Sequence, residues 1–125
     1  MNLQIIPGGF AVCKIPDASQ VNTTDDFWFL SRTDQELSLV CREGSVPANH
    51  TDAEPGWSMF RVVGVLDFSL TGILSSLSGT LAEAKVGIFA VSTYNTDYIL
   101  VKTDSLPRAI GALRAAGHTF DQRSE

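Results

Sequence analysis

The chain has 125 residues, of which 44% are hydrophobic and 18% charged, so intrinsic disorder is excluded and a globular core is expected. Fourteen acidic against nine basic residues give a net charge of −5, and no lysine or arginine cluster exists, so neither nucleic acid nor membrane is a predicted partner. The length suits one domain or two small units. Residues 1–17 lack the features of a secretory signal, so we expect a cytoplasmic protein with reduced cysteines.

Short strands and turns are predicted for the first half. Alternating apolar residues indicate strands at Leu3–Ile6 and Phe10–Ile15, with Pro7-Gly8-Gly9 as a turn between them. Cys13 and Cys41 fall in strand-like alternation, which predicts small core residues. A short helix is predicted at Ala18–Asp26, and the two strands of a hairpin at Phe27–Arg32 and Glu36–Arg42. Glu43–Gly56 is predicted to be a loop or linker.

The second half has clearer periodicity. A strand is predicted at Trp57–Asp67 and a helix at Leu70–Ala84. Two strands follow at Gly87–Thr93 and Asp97–Thr103, with a turn at Tyr94-Asn95-Thr96 between them. A second helix is predicted at 106–116 and a short strand at His118–Phe120. Thr71 is the expected N-cap of the first helix, and Asp104 or Ser105 that of the second. The apolar face of the first helix consists of Ile73, Leu77, Leu81 and Ala84, and that of the second helix consists of Leu106, Ala109, Ile110, Leu113 and Ala116.

This βαββαβ order predicts an α+β, ferredoxin-like fold, in which two helices cover one face of an antiparallel sheet. The first half is interpreted as a degenerate version of the same unit with a shortened first helix. No residue-level repeat supports that interpretation, which depends on element order alone.

A candidate binding site lies where the strand ending at Asp67 leads into the first helix. The first N–H groups of a helix bind carboxylates or phosphates, Gly72 permits close approach, and Ser69 and Thr71 offer hydroxyl groups. Asp97, at the start of a strand, is suited to an ammonium group. Together they match the charges of a free amino acid. The alternatives are an ordinary capped helix and an ordinary hairpin turn.

Other chemistry has little support in the sequence. His50 and His118 lack metal-ligand spacing to cysteine or carboxylate, and neither a nucleophile elbow nor a phosphate loop is present. We therefore expect no cofactor, no metal and no catalytic residue.

Two segments of the second half, Leu66 to Leu74 and Ile88 to Val101, resemble an ACT domain. They are similar to the branch that contains the regulatory domains of aspartate kinase and the cytosolic arginine sensors. Ile5 to Cys13 and Arg32 to Cys41 are similar to small bacterial proteins of that branch.

The resemblance implies two ACT-like units packed side by side, a degenerate one at residues 1–56 and an ACT domain at 57–125. It implies a regulatory protein or allosteric sensor that holds a free amino acid at the interface between such units. Backbone groups around Gly72, Ile73 and Leu74 would bind the carboxylate, and the opposite wall would consist of Ser92, Thr93, Asn95, Thr96 and Asp97. The expected protein partner is a second copy or a regulated protein.

Two other interpretations stay open. A ligand-free interaction or oligomerisation module would use the open edges of a ferredoxin-like sheet. A small enzyme is less favoured, because no nucleophile–base pair is visible in the sequence.

Overall fold

A computed structural model describes residues 1–67 and 72–121, and the chain forms two compact units. The helical unit consists of Met1–Pro7 and Ser58–Glu125, and the strand unit of Gly8–Trp57. The boundary predicted between residues 56 and 57 separates two ACT-like units of the family. It is a different boundary from that of the two compact units, and it stays a prediction.

Seven strands and two α-helices make up the regular structure of the described residues. In chain order they are β1 Asn2–Lys14, β2 Trp28–Arg32, β3 Leu37–Arg42, β4 Asp52–Val62, α1 Ile73–Glu83, β5 Ile88–Ser92, β6 Asp97–Lys102, α2 Leu106–Ala115 and β7 Thr119–Phe120. The predicted α+β, ferredoxin-like class is confirmed, with antiparallel β2–β3 and β5–β6 hairpins.

The sheet of the helical unit has the strand order β5-β6-β4-β1-β7. The last strand therefore pairs in parallel with the start of β1, whereas the predicted βαββαβ unit contains no such strand from the N-terminus. The Thr119 N–H donates to the Met1 carbonyl oxygen at 3.0 Å, and the Asp121 N–H donates to that of Leu3 at 2.6 Å. The first seven residues are thus part of this unit's sheet.

Both helices pack one apolar face into the core of the helical unit. Leu77 and Leu81 of α1 are fully buried, as are Ala109 and Leu113 of α2. Ala116 was predicted to join this face but is exposed, because α2 ends one residue before it. The core consists of Leu3, Phe60, Val62, Leu77, Leu81, Val86, Ile99, Val101, Ala109, Leu113 and Phe120.

The predicted turn at Pro7-Gly8-Gly9 is wrong, because β1 runs through these residues without a break. A β-carbon on Gly8 would lie 2.7 Å from Nη1 of Arg42, and one on Gly9 would lie 2.5 Å from Oε1 of Glu43. The glycines therefore allow close approach of side chains to a strand. The predicted loop at Glu43–Gly56 is also too long, since β4 begins at Asp52.

The strand unit has the order β2-β3-β1-β4 and encloses its own apolar cluster. The short helix predicted at Ala18–Asp26 is wrong, because these residues form turns and bends. Cys13 and Cys41 are free thiols, each 2% exposed, as their alternation predicted. The cluster consists of Ala11, Cys13, Ile15, Leu37, Leu39 and Cys41.

Three consecutive elements recur at an offset of 60 residues. The strands β2 and β3 and the 3₁₀ turn Glu43–Ser45 correspond to β5, β6 and the 3₁₀ turn Thr103–Ser105. The hairpin turns also match, because the Thr33 N–H donates to Glu36 O and the Thr93 N–H to Thr96 O, both at 2.9 Å. At this offset the sequence is identical at Phe29/Phe89, Thr33/Thr93, Ser45/Ser105 and Pro47/Pro107. The two hairpins, each followed by a 3₁₀ turn, therefore have the same element order and spacing.

Candidate functional site

A cavity of about 260 Å³ lies in the helical unit, beside the start of α1 and the β5–β6 turn. One wall comes from the segment after β4 and from the first residues of α1, and the other comes from the hairpin. Its lining residues are Leu66, Asp67, Gly72, Ile73, Leu74, Ser75, Ser92, Thr93, Tyr94, Asn95, Thr96 and Asp97.

Hydrogen bonds fix the hairpin wall of this cavity. The Thr93 hydroxyl donates to the Thr96 carbonyl oxygen at 2.9 Å, and the Thr96 hydroxyl donates to that of Val62 at 2.8 Å. Thr96 is only 7% exposed, so its hydroxyl joins the turn to the end of β4. The Leu66 N–H donates to the Asn95 carbonyl oxygen at 2.6 Å, which connects the two walls directly.

Asp97 is the carboxylate of the hairpin wall. Ser92, its cross-strand neighbour at the hairpin end, donates a hydrogen bond from Oγ to Oδ1 of Asp97 at 2.6 Å. Within residues 1–67 and 72–121, this is the one hydrogen bond of the Asp97 side chain. The serine therefore orients the carboxylate at the hairpin wall.

The opposite wall contains the N-terminus of α1. Gly72 occupies the N-cap position with a φ of 82°, and no side chain caps the helix in the described residues. Its carbonyl oxygen accepts the Ser76 N–H at 2.8 Å, which closes the first turn. The N–H groups of that turn have no partner within the helix and carry partial positive charge. They provide the donors that an anionic group requires.

Among the described lining residues the charged side chains are Asp67 and Asp97, and none is a lysine, arginine or histidine. A ligand carboxylate would therefore bind backbone N–H groups, and a positively charged group would face Asp97.

Eight of the ten predicted site residues line this one cavity, while Ser69 and Thr71 lie outside the described residues. The capping role predicted for Thr71 therefore also lies outside the described residues. The ligand-binding role of all ten stays a prediction. Sequence reasoning did not select Leu66, Asp67, Ser75 and Tyr94. The position of Asp67 between strand and helix was the available signal for this second carboxylate.

The cysteines and histidines do not belong to the cavity. Burial and the neighbouring Cys13 thiol raise the pKa of Cys41 to about 12, so it stays protonated at neutral pH and is a poor nucleophile. Burial lowers the pKa of His118, with a further contribution from the N-terminal ammonium group. In the described ranges, His, Cys, Asp and Glu side chains form no group of three suited to a metal ion.

None of the helices in the described part of the chain has the length and apolar content that crossing a membrane requires.

A family model described as the ACT domain matches residues 52–115, which is 64 of the 125 residues. The matched segment runs from the start of β4 to the end of α2 and contains the whole lining of the cavity.

Solved structures are similar over most of the chain. A crystal structure of an Agobacterium tumefaciens protein has a TM-score of 0.86 and 32% identity, covering 96% of this chain and 91% of that one. The regulatory subunit of aspartate kinase from Thermus thermophilus has a TM-score of 0.66 at 10% identity, covering 92% of this chain and 96% of that one. At that identity the second similarity concerns the fold alone.

A curated relative matches a shorter segment. The human cytosolic arginine sensor for mTORC1 subunit 1 is 36% identical over 59 residues, which is 46% of this chain. The match spans only 18% of the length of that relative.

Proposed function

This chain belongs to the ACT domain family, a family of regulatory domains, and we propose that it is a sensor or regulatory protein that binds a free amino acid. The binding site is the cavity lined by residues 72–75 and 92–97. The observation that carries the proposal is the presence, in one cavity, of a helix N-terminus on one wall and the Asp97 carboxylate on the other.

The two ends of an amino acid match these two walls. The ligand carboxylate accepts hydrogen bonds from the first N–H groups of α1, where the helix dipole favours negative charge. Gly72 has no side chain, and a β-carbon there would contact nothing within 4 Å, so the ligand approaches the backbone directly. The α-ammonium group donates to Asp97, whose orientation Ser92 supports.

The curated relative supports a narrower ligand class, an amino acid with a cationic side chain. Arginine is the first candidate, because the curated relative is by name an arginine sensor. Which cationic amino acid binds is decided by the experiment below.

The tandem arrangement also belongs to this proposal. The correspondence of β2–β3 with β5–β6 at 60 residues supports two ACT-like units, a degenerate one at 1–56 and an ACT domain at 57–125. A ligand position at an interface between ACT-like units, and regulation of a partner protein, are parts of the proposal that follow from the family.

Thermal unfolding in the presence of each of the twenty amino acids tests the proposal. A ligand at 100 times its Kd adds about 2.7 kcal/mol to the free energy of unfolding. For a chain of this length that corresponds to a rise in Tm of about 10 °C. We expect this rise with arginine or lysine, and little change with aspartate or glutamate, whose side-chain carboxylate the Asp97 carboxylate repels.

Asp97→Asn is the decisive variant. It retains an oxygen that can accept the Ser92 hydroxyl, so the hairpin stays folded while the negative charge is lost. We expect the Tm rise to disappear. Asp104→Asn is the matched control, because it removes one charge from an exposed site in the same unit outside the cavity. A chain that responds to no amino acid at millimolar concentration would contradict the proposal.

An interaction module is the second candidate, and exposed apolar side chains beside the cavity favour it. Val65 is 76% and Tyr94 79% exposed, although large apolar side chains are usually covered. Light scattering distinguishes the candidates. A stable homodimer without any amino-acid response supports the module, whereas a monomer or dimer that is stabilised by an amino acid supports the sensor.

A further inference from the structure

Tyr94 is the one aromatic side chain among the described residues that line the candidate site. It lies in the turn between β5 and β6, and 79% of its surface is exposed. A side chain that lines a cavity and is largely exposed lies at the opening of that cavity. The backbone around it is fixed, because the Thr93 N–H and the Thr93 hydroxyl both donate to the Thr96 carbonyl oxygen at 2.9 Å. The turn therefore holds Tyr94 where a ligand enters.

The distance between Tyr94 and Asp97 suits a ligand with a long side chain. Ser92 and Asp97 face each other at the end of the hairpin, and Tyr94 is two residues beyond Ser92. Extended residues rise by about 3.3 Å each, so Tyr94 lies at most roughly 7 Å beyond the Ser92–Asp97 pair. The methylene chain of arginine or lysine spans a similar distance. A ligand whose α-ammonium group binds Asp97 therefore places the end of such a side chain at Tyr94.

The face of an aromatic ring attracts a cation, because the ring quadrupole concentrates negative charge there. The chain already contains this contact. The guanidinium carbon of Arg42 lies 5.0 Å from the centre of the Phe10 ring, and that of Arg114 lies 5.5 Å from the centre of the Phe120 ring. In the proposed function Asp97 binds the α-ammonium group, so the positive charge of a ligand side chain requires a second partner. A tyrosine provides one at small entropic cost, because its side chain has few rotatable bonds.

We propose that Tyr94 determines the specificity of the candidate site, because its ring stacks on the cationic end of a ligand side chain. This inference rests on the proposed function, since it concerns the same ligand in the same cavity. A neutral side chain of the same shape fills the same space without this contact. The Tyr94 ring therefore distinguishes amino acids by the charge of their side chain in addition to its length.

Calorimetric titration of the unmodified chain and of Tyr94→Leu with arginine and with citrulline tests the inference. Citrulline has the shape of arginine but carries a neutral urea group in place of the guanidinium. Leucine retains an apolar contact but has no ring. We expect Tyr94→Leu to weaken arginine binding by about three- to tenfold and citrulline binding by less than about twofold. The coupling between the change of residue and the change of ligand isolates the contact of ring and cation.

Two further variants and one spectroscopic readout complete the experiment. Tyr94→Phe retains the ring and should bind both ligands as the unmodified chain does. Val65→Ala is the matched control, because it shortens another exposed apolar side chain that does not line the cavity. In proton NMR spectra, stacking should shift the δ-methylene resonances of arginine upfield, and Tyr94→Leu should abolish that shift. Because Tyr94 is exposed, its replacement should change the Tm of the free protein by less than about 3 °C.

Two results would overturn the inference and leave the proposed function intact. One is equal weakening of arginine and citrulline binding in Tyr94→Leu, since the ring would then provide only apolar contact. The other is a loss of arginine binding in Tyr94→Phe as large as that in Tyr94→Leu, since the hydroxyl group would then be the contact. An unmodified chain that binds only amino acids with neutral side chains would also contradict the inference, whereas one that binds no amino acid contradicts the proposed function as well.

Discussion

Gly72 and Gly79 lie seven residues apart at α1, and replacement by alanine is expected to have opposite effects at the two positions. Gly72 is the N-cap, with a φ of 82°, in the left-handed region that residues with a β-carbon avoid. Gly79 lies inside α1, and its φ is not positive. A β-carbon at either position has no heavy atom within 4 Å. Steric overlap therefore does not distinguish the two sites, and backbone conformation does.

The expected free energies follow from these conformations. Alanine in the left-handed region costs about 1–2 kcal/mol. The lower entropy of the unfolded chain offsets about 0.4–1 kcal/mol of that. Gly72→Ala should thus lower the free energy of unfolding by about 1 kcal/mol. Gly79→Ala should raise it by roughly 0.5–1 kcal/mol, because alanine favours helix interiors. The variants should differ by about 2 kcal/mol, or about 8 °C in Tm.

The same pair of variants reports on the cavity. If alanine at position 72 changes the backbone to relieve its strain, the first N–H groups of α1 move away from the proposed carboxylate position. Gly72→Ala should therefore weaken the amino-acid response in addition to the fold, whereas Gly79→Ala should retain it. Gly72→Asn should fall between glycine and alanine in stability, since asparagine tolerates positive φ.

Urea unfolding followed by circular dichroism gives the stabilities, and calorimetric titration with arginine gives the binding. The reasoning is refuted if Gly72→Ala is as stable as the unmodified chain. It is also refuted if Gly79→Ala is destabilised to the same extent, since the effect would then come from altered packing of α1.

Two further predictions concern the strand unit. Asp26 pairs with Arg42 at 2.8 Å, and this contact lowers the pKa of the Asp26 carboxyl group. The stability that Asp26→Asn removes should therefore be present above pH about 3.9 and disappear as pH falls through the lowered pKa. Urea unfolding of the variant and the unmodified chain between pH 6 and pH 2 measures this difference. A stability difference that is independent of pH would contradict the prediction. Oε2 of Glu43 accepts the Gly56 N–H at 2.7 Å, and a β-carbon on Gly9 would lie 2.5 Å from Oε1 of the same carboxylate. Gly9→Ala should cost about 1 kcal/mol alone and nothing in a Glu43→Ala background, so additive effects in the double-mutant cycle would exclude this contact.

Local periodicity was sufficient to predict both hairpins and both helices. The apolar residues of α1 and α2 recur at helical spacing, and the short polar turns between β2 and β3 and between β5 and β6 allow only antiparallel neighbours. The prediction failed at Pro7-Gly8-Gly9 and at Asp52–Gly56, where proline and glycine are typical of turns. In the structure the first two glycines accommodate Arg42 and Glu43, and those contacts connect residues far apart in the sequence.

The candidate site, too, was predictable from the sequence only in part. Gly72 at a helix start and Asp97 at a strand start were selected from residue type and position alone. Their location around one cavity depends on the hydrogen bonds from Leu66 to Asn95 and from Thr96 to Val62, which connect segments about 30 residues apart. The hydrogen bond from Arg61 to Gln4 was not predictable either, because it joins β4 to β1 across 57 positions.

The distribution of charge along the chain did not indicate where the candidate site lies. Five surplus negative charges lie in residues 1–60, whereas the cavity is lined by residues 66–97, within a part of the chain whose charges balance. By itself the sequence determined the family, both hairpins, both helices and two candidate residues, because those depend on neighbours along the chain. Only the tertiary structure decided how the chain's first strand completes the sheet and which charges share a cavity, because strand pairing brings distant residues together.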